Sequence, residues 1–65
     1  MKILVNGASH ETNAPDLAAA LHDLGYGDSV VATAVNSEFV PAHSRASIRL
    51  TDGDRIEILA PMQGG

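Results

Sequence analysis

One stretch of this chain has the period of a helix, and it dictates what the remainder must do. In Asp16-Leu-Ala-Ala-Ala-Leu-His-Asp-Leu-Gly25, Leu17, Leu21 and Leu24 fall at i, i+4 and i+7, on one helical face. The alanines between them have the best helix propensity, and Asp16, or alternatively Asn13, is placed to cap the N-terminus. Pro15 stands where the chain enters the helix, and Gly25 is the expected left-handed stop. A lone amphipathic helix has no second helix to cover its leucines, so they must rest on a sheet.

The flanking segments supply that sheet. Residues 2–6 read as a strand, and Asn6-Gly7 is the preferred centre of a tight type I′ turn, since both positions tolerate positive φ. A weaker strand follows from about Ser9 to Asn13. Residues 30–35 (Val-Val-Ala-Thr-Ala-Val) are apolar on both faces, which points to an interior or partly covered strand. Asn36-Ser37 turns the chain, Glu38-Phe39-Val40 returns, and Pro41 ends the pairing. Residues 42–47 form a polar, irregular segment with a short helical turn, and Ser47 to Thr51 is a candidate for another short strand. Asp52-Gly53-Asp54 is a turn, after which Arg55-Ile-Glu-Ile-Leu59 alternates with Ile56 and Ile58 on one face. Pro61 stops the ladder and leaves Met62-Gln63-Gly64-Gly65 as a tail.

The predicted order is β-β-α-β-β-β: an α+β chain whose mixed sheet of about five strands carries one main helix across one face. The predicted core is Ile3, Val5, Leu17, Leu21, Leu24, Val31, Val35, Val40, Leu50, Ile56 and Ile58. With 65 residues, the chain is one domain, residues 1–65, with a flexible tail from about residue 61. Its core is small, near the limit for a domain without staples.

Composition removes several classes of function. There is no cysteine, hence no disulfide and no thiolate metal site, and any sulfur handled here cannot travel as the chain's own persulfide. Four basic against eight acidic residues give a net charge of −4. Lys2, Arg45, Arg49 and Arg55 do not cluster, and Tyr26 and Phe39 are the only aromatics, so nucleic-acid binding is disfavoured. An acidic surface is suited instead to steering toward a basic partner groove. No leader pattern precedes the first strand and no apolar run approaches the roughly 20 residues of a membrane span, so a cytoplasmic protein is expected.

The interior offers no catalytic constellation. His10, His22 and His43 are scattered, without metal-ligand spacing, and read as exposed polar residues. No serine sits in a glycine-flanked elbow, and Asp52-Gly53-Asp54 lacks the remaining ligands of a calcium loop. The Gly64-Gly65 end remains. Terminal glycines have a bland explanation, because chain ends tolerate small residues. They also suit a specific chemistry. A carboxylate resists nucleophiles until it is activated, most simply as an acyl-adenylate. An enzyme that brings a chain end to the α-phosphate of ATP through a narrow channel needs residues without side chains. Threading a tail costs roughly 1–2 kcal/mol per residue ordered. A partner should therefore also grip the folded body, through apolar groups near the tail such as Met62 and Leu59. Met62 fits a packed position at the core's edge equally well.

The ordered set Val5-Asn6-Gly7, the helix Leu17 to Gly25, Ala32-Thr-Ala-Val-Asn36 with Val40-Pro41, Leu50-Thr-Asp-Gly-Asp-Arg-Ile-Glu-Ile58 and Met62-Gln-Gly-Gly65 resembles the ThiS family, the bacterial sulfur carriers of thiamine biosynthesis. The resemblance covers essentially the whole chain. It implies a ubiquitin-like β-grasp fold and a protein that is a co-substrate, not an enzyme, with no bound cofactor or metal, and a monomer when free. It further implies that a ThiF-type adenylyltransferase uses MgATP to activate the Gly65 carboxylate. A persulfide from a cysteine desulfurase or other donor then displaces AMP, and thiazole synthase takes the sulfur from the resulting thiocarboxylate. Gly65 would carry the sulfur, with Gly64, Gln63 and Met62 threaded into partners and Leu59 on the partner surface. The chain departs from the family pattern at Ala42 and Arg45, where a basic residue and then an aromatic are frequent, and at Ser37, where glycine is. Three rival functions share parts of this reading: a carrier for molybdenum cofactor or tRNA thiolation, a ubiquitin-like modifier joined to lysine, and a binding module with an inert terminus.

Overall fold

The computed structural model describes residues 1–60. Five strands and one α-helix follow in the order β1 (Lys2–Val5), β2 (Ala8–Glu11), α1 (Leu17–Asp23), β3 (Ala32–Val35), β4 (Glu38–Val40) and β5 (Arg55–Leu59), with a 3-10 helix at Ala42–Ser47. The α+β order read from the sequence is the observed one. The sheet runs β2-β1-β5-β3-β4. β1 and β5 pair in parallel at its centre, with Leu4 opposite Arg55 and Val5 opposite Ile56, and the remaining pairs are antiparallel.

Both hairpins turn through residues with positive φ. Asn6 and Gly7 have φ 49 and 86°, and Asn36 and Ser37 have φ 50 and 72°. Such values suit the tight turns that match strand twist, and asparagine tolerates them better than most side chains do.

Asp16, not Asn13, caps α1: its Oδ1 accepts the Ala19 N–H at 2.8 Å. At the other end Gly25 takes φ 93°, the Gly25 N–H donates to the His22 carbonyl at 3.1 Å, and the Tyr26 N–H donates to the Leu21 carbonyl at 2.8 Å. That pair of bonds is a Schellman stop, with partly buried Tyr26 packed against the core. A helix of seven residues is too short to persist by propensity, so tertiary packing holds it. Leu17, Ala20 and Leu21 are its buried face.

The core lies between α1 and one face of the sheet: Ile3, Val5, Val35, Val40, Ile56 and Ile58 from the strands, Leu17, Ala20 and Leu21 from the helix, and Ala14 and Leu50 from the segments beside it. Two residues expected inside, Leu24 and Val31, are only partly buried. Residues 30–35 do not all form a strand either. β3 starts at Ala32, and Val30 is 80% exposed. β3 is interior by pairing, yet the helix covers one of its faces only, so half of that apolar run faces outward. Ser47–Thr51 forms no strand. It makes one isolated bridge, Asp16 to Arg49, flanked by the Leu17 N–H to the Ile48 carbonyl and the Leu50 N–H to the Pro15 carbonyl. Its neighbour is the entry to α1, which turns away after two bonds.

Thr33 is 2% exposed and needs partners. Its hydroxyl donates to the Val40 carbonyl at 2.8 Å and accepts from Arg45 Nε at 3.1 Å. Arg45 Nη2 also donates to the Val31 carbonyl at 2.6 Å, so this departure from the family pattern braces β3 from the 3-10 helix.

Leu17 is fully buried at the centre of this packing. Leu17→Ala should cost about 2–5 kcal/mol, which is most of the stability of a domain this small. The denaturant midpoint should fall accordingly, with loss of the cooperative transition at the upper end of that range.

Candidate functional site

The sequence points to the end of β5, and the structure shows what surrounds it. Met62, Gln63, Gly64 and Gly65 lie outside the described residues. Leu59 is the last residue of β5, opposite Ala32 of β3, and is 71% exposed. Its exposure follows from alternation: Ile56 and Ile58 point into the core, so Arg55, Glu57 and Leu59 point out.

The same alternation on the neighbouring strands builds an apolar patch around Leu59. Thr33 and Val35 face inward, which turns Ala32 and Ala34 outward, and Val40 facing inward turns Phe39 outward with 70% exposure. Phe39 pairs with Ala34, and Ala34 in turn with Glu57. Ala32, Ala34, Phe39, Glu57 and Leu59 line a shallow apolar depression on the face opposite α1. Large exposed apolar groups grouped in this way mark contact surfaces. Leu59 is thus an exposed apolar residue within this patch. Phe39 was missed, although an aromatic in the outward half of the Glu38-Phe39-Val40 alternation was the available signal.

β5 itself is held by two asparagine side chains from the hairpin turns. Asn6 Oδ1 accepts the Ile58 N–H at 2.8 Å and Asn6 Nδ2 donates to the Ile58 carbonyl at 3.1 Å. Asn36 Oδ1 accepts the Arg55 N–H at 3.0 Å, and Asn36 Nδ2 donates to Asp54 Oδ1 at 3.1 Å. Reading Asn6-Gly7 and Asn36-Ser37 as turns was right but incomplete, because the carboxamides act at a distance in sequence.

Asp54 anchors the start of β5. Its carboxylate accepts the Thr51 N–H at 2.8 Å and the Thr51 hydroxyl at 3.1 Å, in addition to Asn36. Desolvation works to raise its pKa, but the hydrogen bonds from the Thr51 backbone, Asn36 and the Thr51 hydroxyl outweigh it and hold the group below its ordinary 3.8. A depressed carboxyl adds stability above its unfolded pKa and loses it as pH falls through the folded value. The stability advantage of wild type over Asp54→Asn should therefore be constant near neutrality and shrink as pH drops below about 3.8, as pH-dependent melts would show.

His10, His22 and His43 are all exposed, and the described residues contain no group of three or more His, Cys, Asp or Glu able to hold a metal. Among the described residues no helix is long and apolar enough to cross a membrane.

Comparison with known proteins agrees with this fold. A sequence model of the ThiS family matches residues 3–65. The crystal structure of a thiamine biosynthesis protein (ThiS) from Geobacter metallireducens superposes with a TM-score of 0.82 at 26% identity, covering 100% of both chains. A solution NMR structure of a thiamine biosynthesis protein from the same organism gives a TM-score of 0.79 at 25% identity, covering 100% of this chain and 88% of that one. A thiazole synthase of Paramagnetospirillum magneticum is 38% identical over 66 residues, covering 100% of this chain. The chain spans only 20% of that relative's length.

Proposed function

The chain belongs to the ThiS family, a ubiquitin-like β-grasp family, and from that premise we propose that it is a sulfur carrier for thiazole formation in thiamine biosynthesis. It is a protein co-substrate that partner enzymes act on, and the Gly65 carboxylate is the group that carries the sulfur. The observation that supports this reading most directly is the family match, which runs through Gly64 and Gly65.

A Gly65 carboxylate oxygen attacks the α-phosphorus of MgATP on a ThiF-type adenylyltransferase, a P–O bond forms, and pyrophosphate leaves. The terminal sulfur of a persulfide, from a cysteine desulfurase or another donor, attacks the acyl carbon and AMP leaves with the C–O bond broken. A second thiol cleaves the S–S bond of that adduct, releasing a disulfide and the thiocarboxylate. Every thiol must come from a partner, since this chain has no cysteine. Thiazole synthase then takes the sulfur into the thiazole precursor; the acyl C–S bond breaks and an oxygen from water or from the acceptor's carbonyl forms the C–O bond that regenerates the carboxylate. The thiazole synthase relative supports this pathway over molybdenum cofactor or tRNA thiolation.

The chain's own contribution is recognition. The patch of Phe39, Leu59, Ala32 and Ala34 is the grip for partner enzymes, and it lies beside the point where the tail begins. Binding energy from this remote surface can offset the cost of ordering the tail.

Intact mass after incubation with the adenylyltransferase, MgATP and a persulfide source tests the chemistry. The expected gain is one sulfur replacing one oxygen, localised to Gly65, and it should vanish when one residue is added after Gly65. Lysine adducts without a thiocarboxylate would favour a protein modifier instead. A second measurement tests the grip. Phe39→Ala and Leu59→Ala remove exposed groups, so each should change stability by less than about 1 kcal/mol. Together they should raise the KM for this protein in adenylation by about tenfold or more, the usual effect of truncating an aromatic anchor.

A further inference from the structure

The two asparagine carboxamides bound to β5 do the same chemistry at opposite ends of the strand, and their consequences differ. Near its start, β5 is supported on both sides. The Leu4 N–H donates to the Asp54 carbonyl and the Asn6 N–H to the Ile56 carbonyl, both at 2.9 Å, while β3 pairs along the other edge. At Asn6 the main chain takes φ 49° and turns away toward β2. No further residue of β1 is then available to the Ile58 N–H and carbonyl. The Asn6 side chain fills that gap. Its carboxamide carries one donor face and one acceptor face, as a peptide group does, and it satisfies both groups of Ile58 at 3.1 and 2.8 Å. It thus extends the β1 edge by one peptide unit beyond the point where the backbone has left. Ile58 is the last residue held on both edges, and Leu59 is held by β3 alone.

We infer that Asn6 is a positioning residue for the reaction at Gly65, because it fixes where the chain leaves the sheet. This inference rests on the carrier reading. A partner that docks on the body and reacts with the chain end needs a constant connection between the two. If Ile58 and Leu59 fray, the last residue held by the sheet moves two positions further from Gly65 in sequence, and Leu59 leaves the docking patch. Effective concentration falls as a tether lengthens beyond its span, and reactivity falls with loss of alignment. Asn36 provides the comparison. It has the same left-handed backbone and the same kind of bond to β5, but it acts on Arg55, at the end remote from the tail.

The test compares Asn6→Gly with Asn36→Gly. Glycine accepts positive φ, so each variant keeps its turn and loses only the carboxamide. Melting curves set an assay temperature at which both are folded. At saturating carrier, the single-turnover adenylation rate should fall by about fivefold or more in Asn6→Gly and stay within about twofold of wild type in Asn36→Gly, a kcat effect that a general loss of stability does not produce. Amide exchange at Ile58 should accelerate only in Asn6→Gly. Equal rates in the two variants, with wild type active, would overturn the positioning role and leave the carrier function standing. An inactive wild type would overturn the carrier reading and the positioning role with it. If Asn6→Gly fails to fold, Asn6→Asp, which keeps the acceptor for the Ile58 N–H, should show an intermediate rate, and a wild-type rate would refute the inference.

Discussion

The fold depends on one strand. The N-terminal hairpin, β1 and β2, and the second hairpin, β3 and β4, do not pair with each other; both pair with β5, which arrives last in the chain and lies between them. Until β5 is in place, each hairpin is a two-stranded ribbon of marginal stability. Neither contact of β5 can be made by a two-residue turn, and the parallel one with β1 spans nearly the whole described chain. The protein meets this demand with side chains as well as main chain. Asn6, Asn36 and Asp54 together add hydrogen bonds at both ends of β5.

Making the central strand the last of the described strands also fixes where the described chain ends, at the middle of the sheet. The alternation that sends Ile56 and Ile58 into the core sends Leu59 to the opposite face, where it joins Phe39, Ala32 and Ala34. A single sheet with a helix on one side has a second face that nothing in the described chain covers. In a chain of this size there is not enough material for another layer. The uncovered face and the position of Leu59 at the end of β5 are consequences of the same topology, so the apolar patch needs no loop or pocket built for the purpose.

Local signals in the sequence were sufficient where the physics is local. The leucine spacing, the Asp16 cap, the Gly25 stop and the Asn6-Gly7 turn each depend on neighbours within a few residues, and each appears as expected. Errors came where a distant partner decides. Ser47–Thr51 has strand-like composition, but its neighbour is a helix entry that offers only one bridge. Val31 and Leu24 look like core residues, yet they sit at the edge of the layer and are half-buried. Ala14, Ala20 and Thr33 are buried although none is marked as core by local pattern, and Thr33 is accommodated by its hydrogen bonds to Val40 and Arg45.

By itself the sequence determined the order of elements, the period of each and the Gly-Gly end, since propensity, alternation and turn chemistry act over short spans. It also carried the family pattern across the whole chain. Only the tertiary structure decided that Asn6 binds Ile58, that Arg45 braces Thr33, and that Phe39 shares a face with Leu59. The β3–β4 register is set locally by the Asn36-Ser37 turn. The register of β5 against β1 and β3 joins residues far apart in the chain, so no local feature of either partner specifies it.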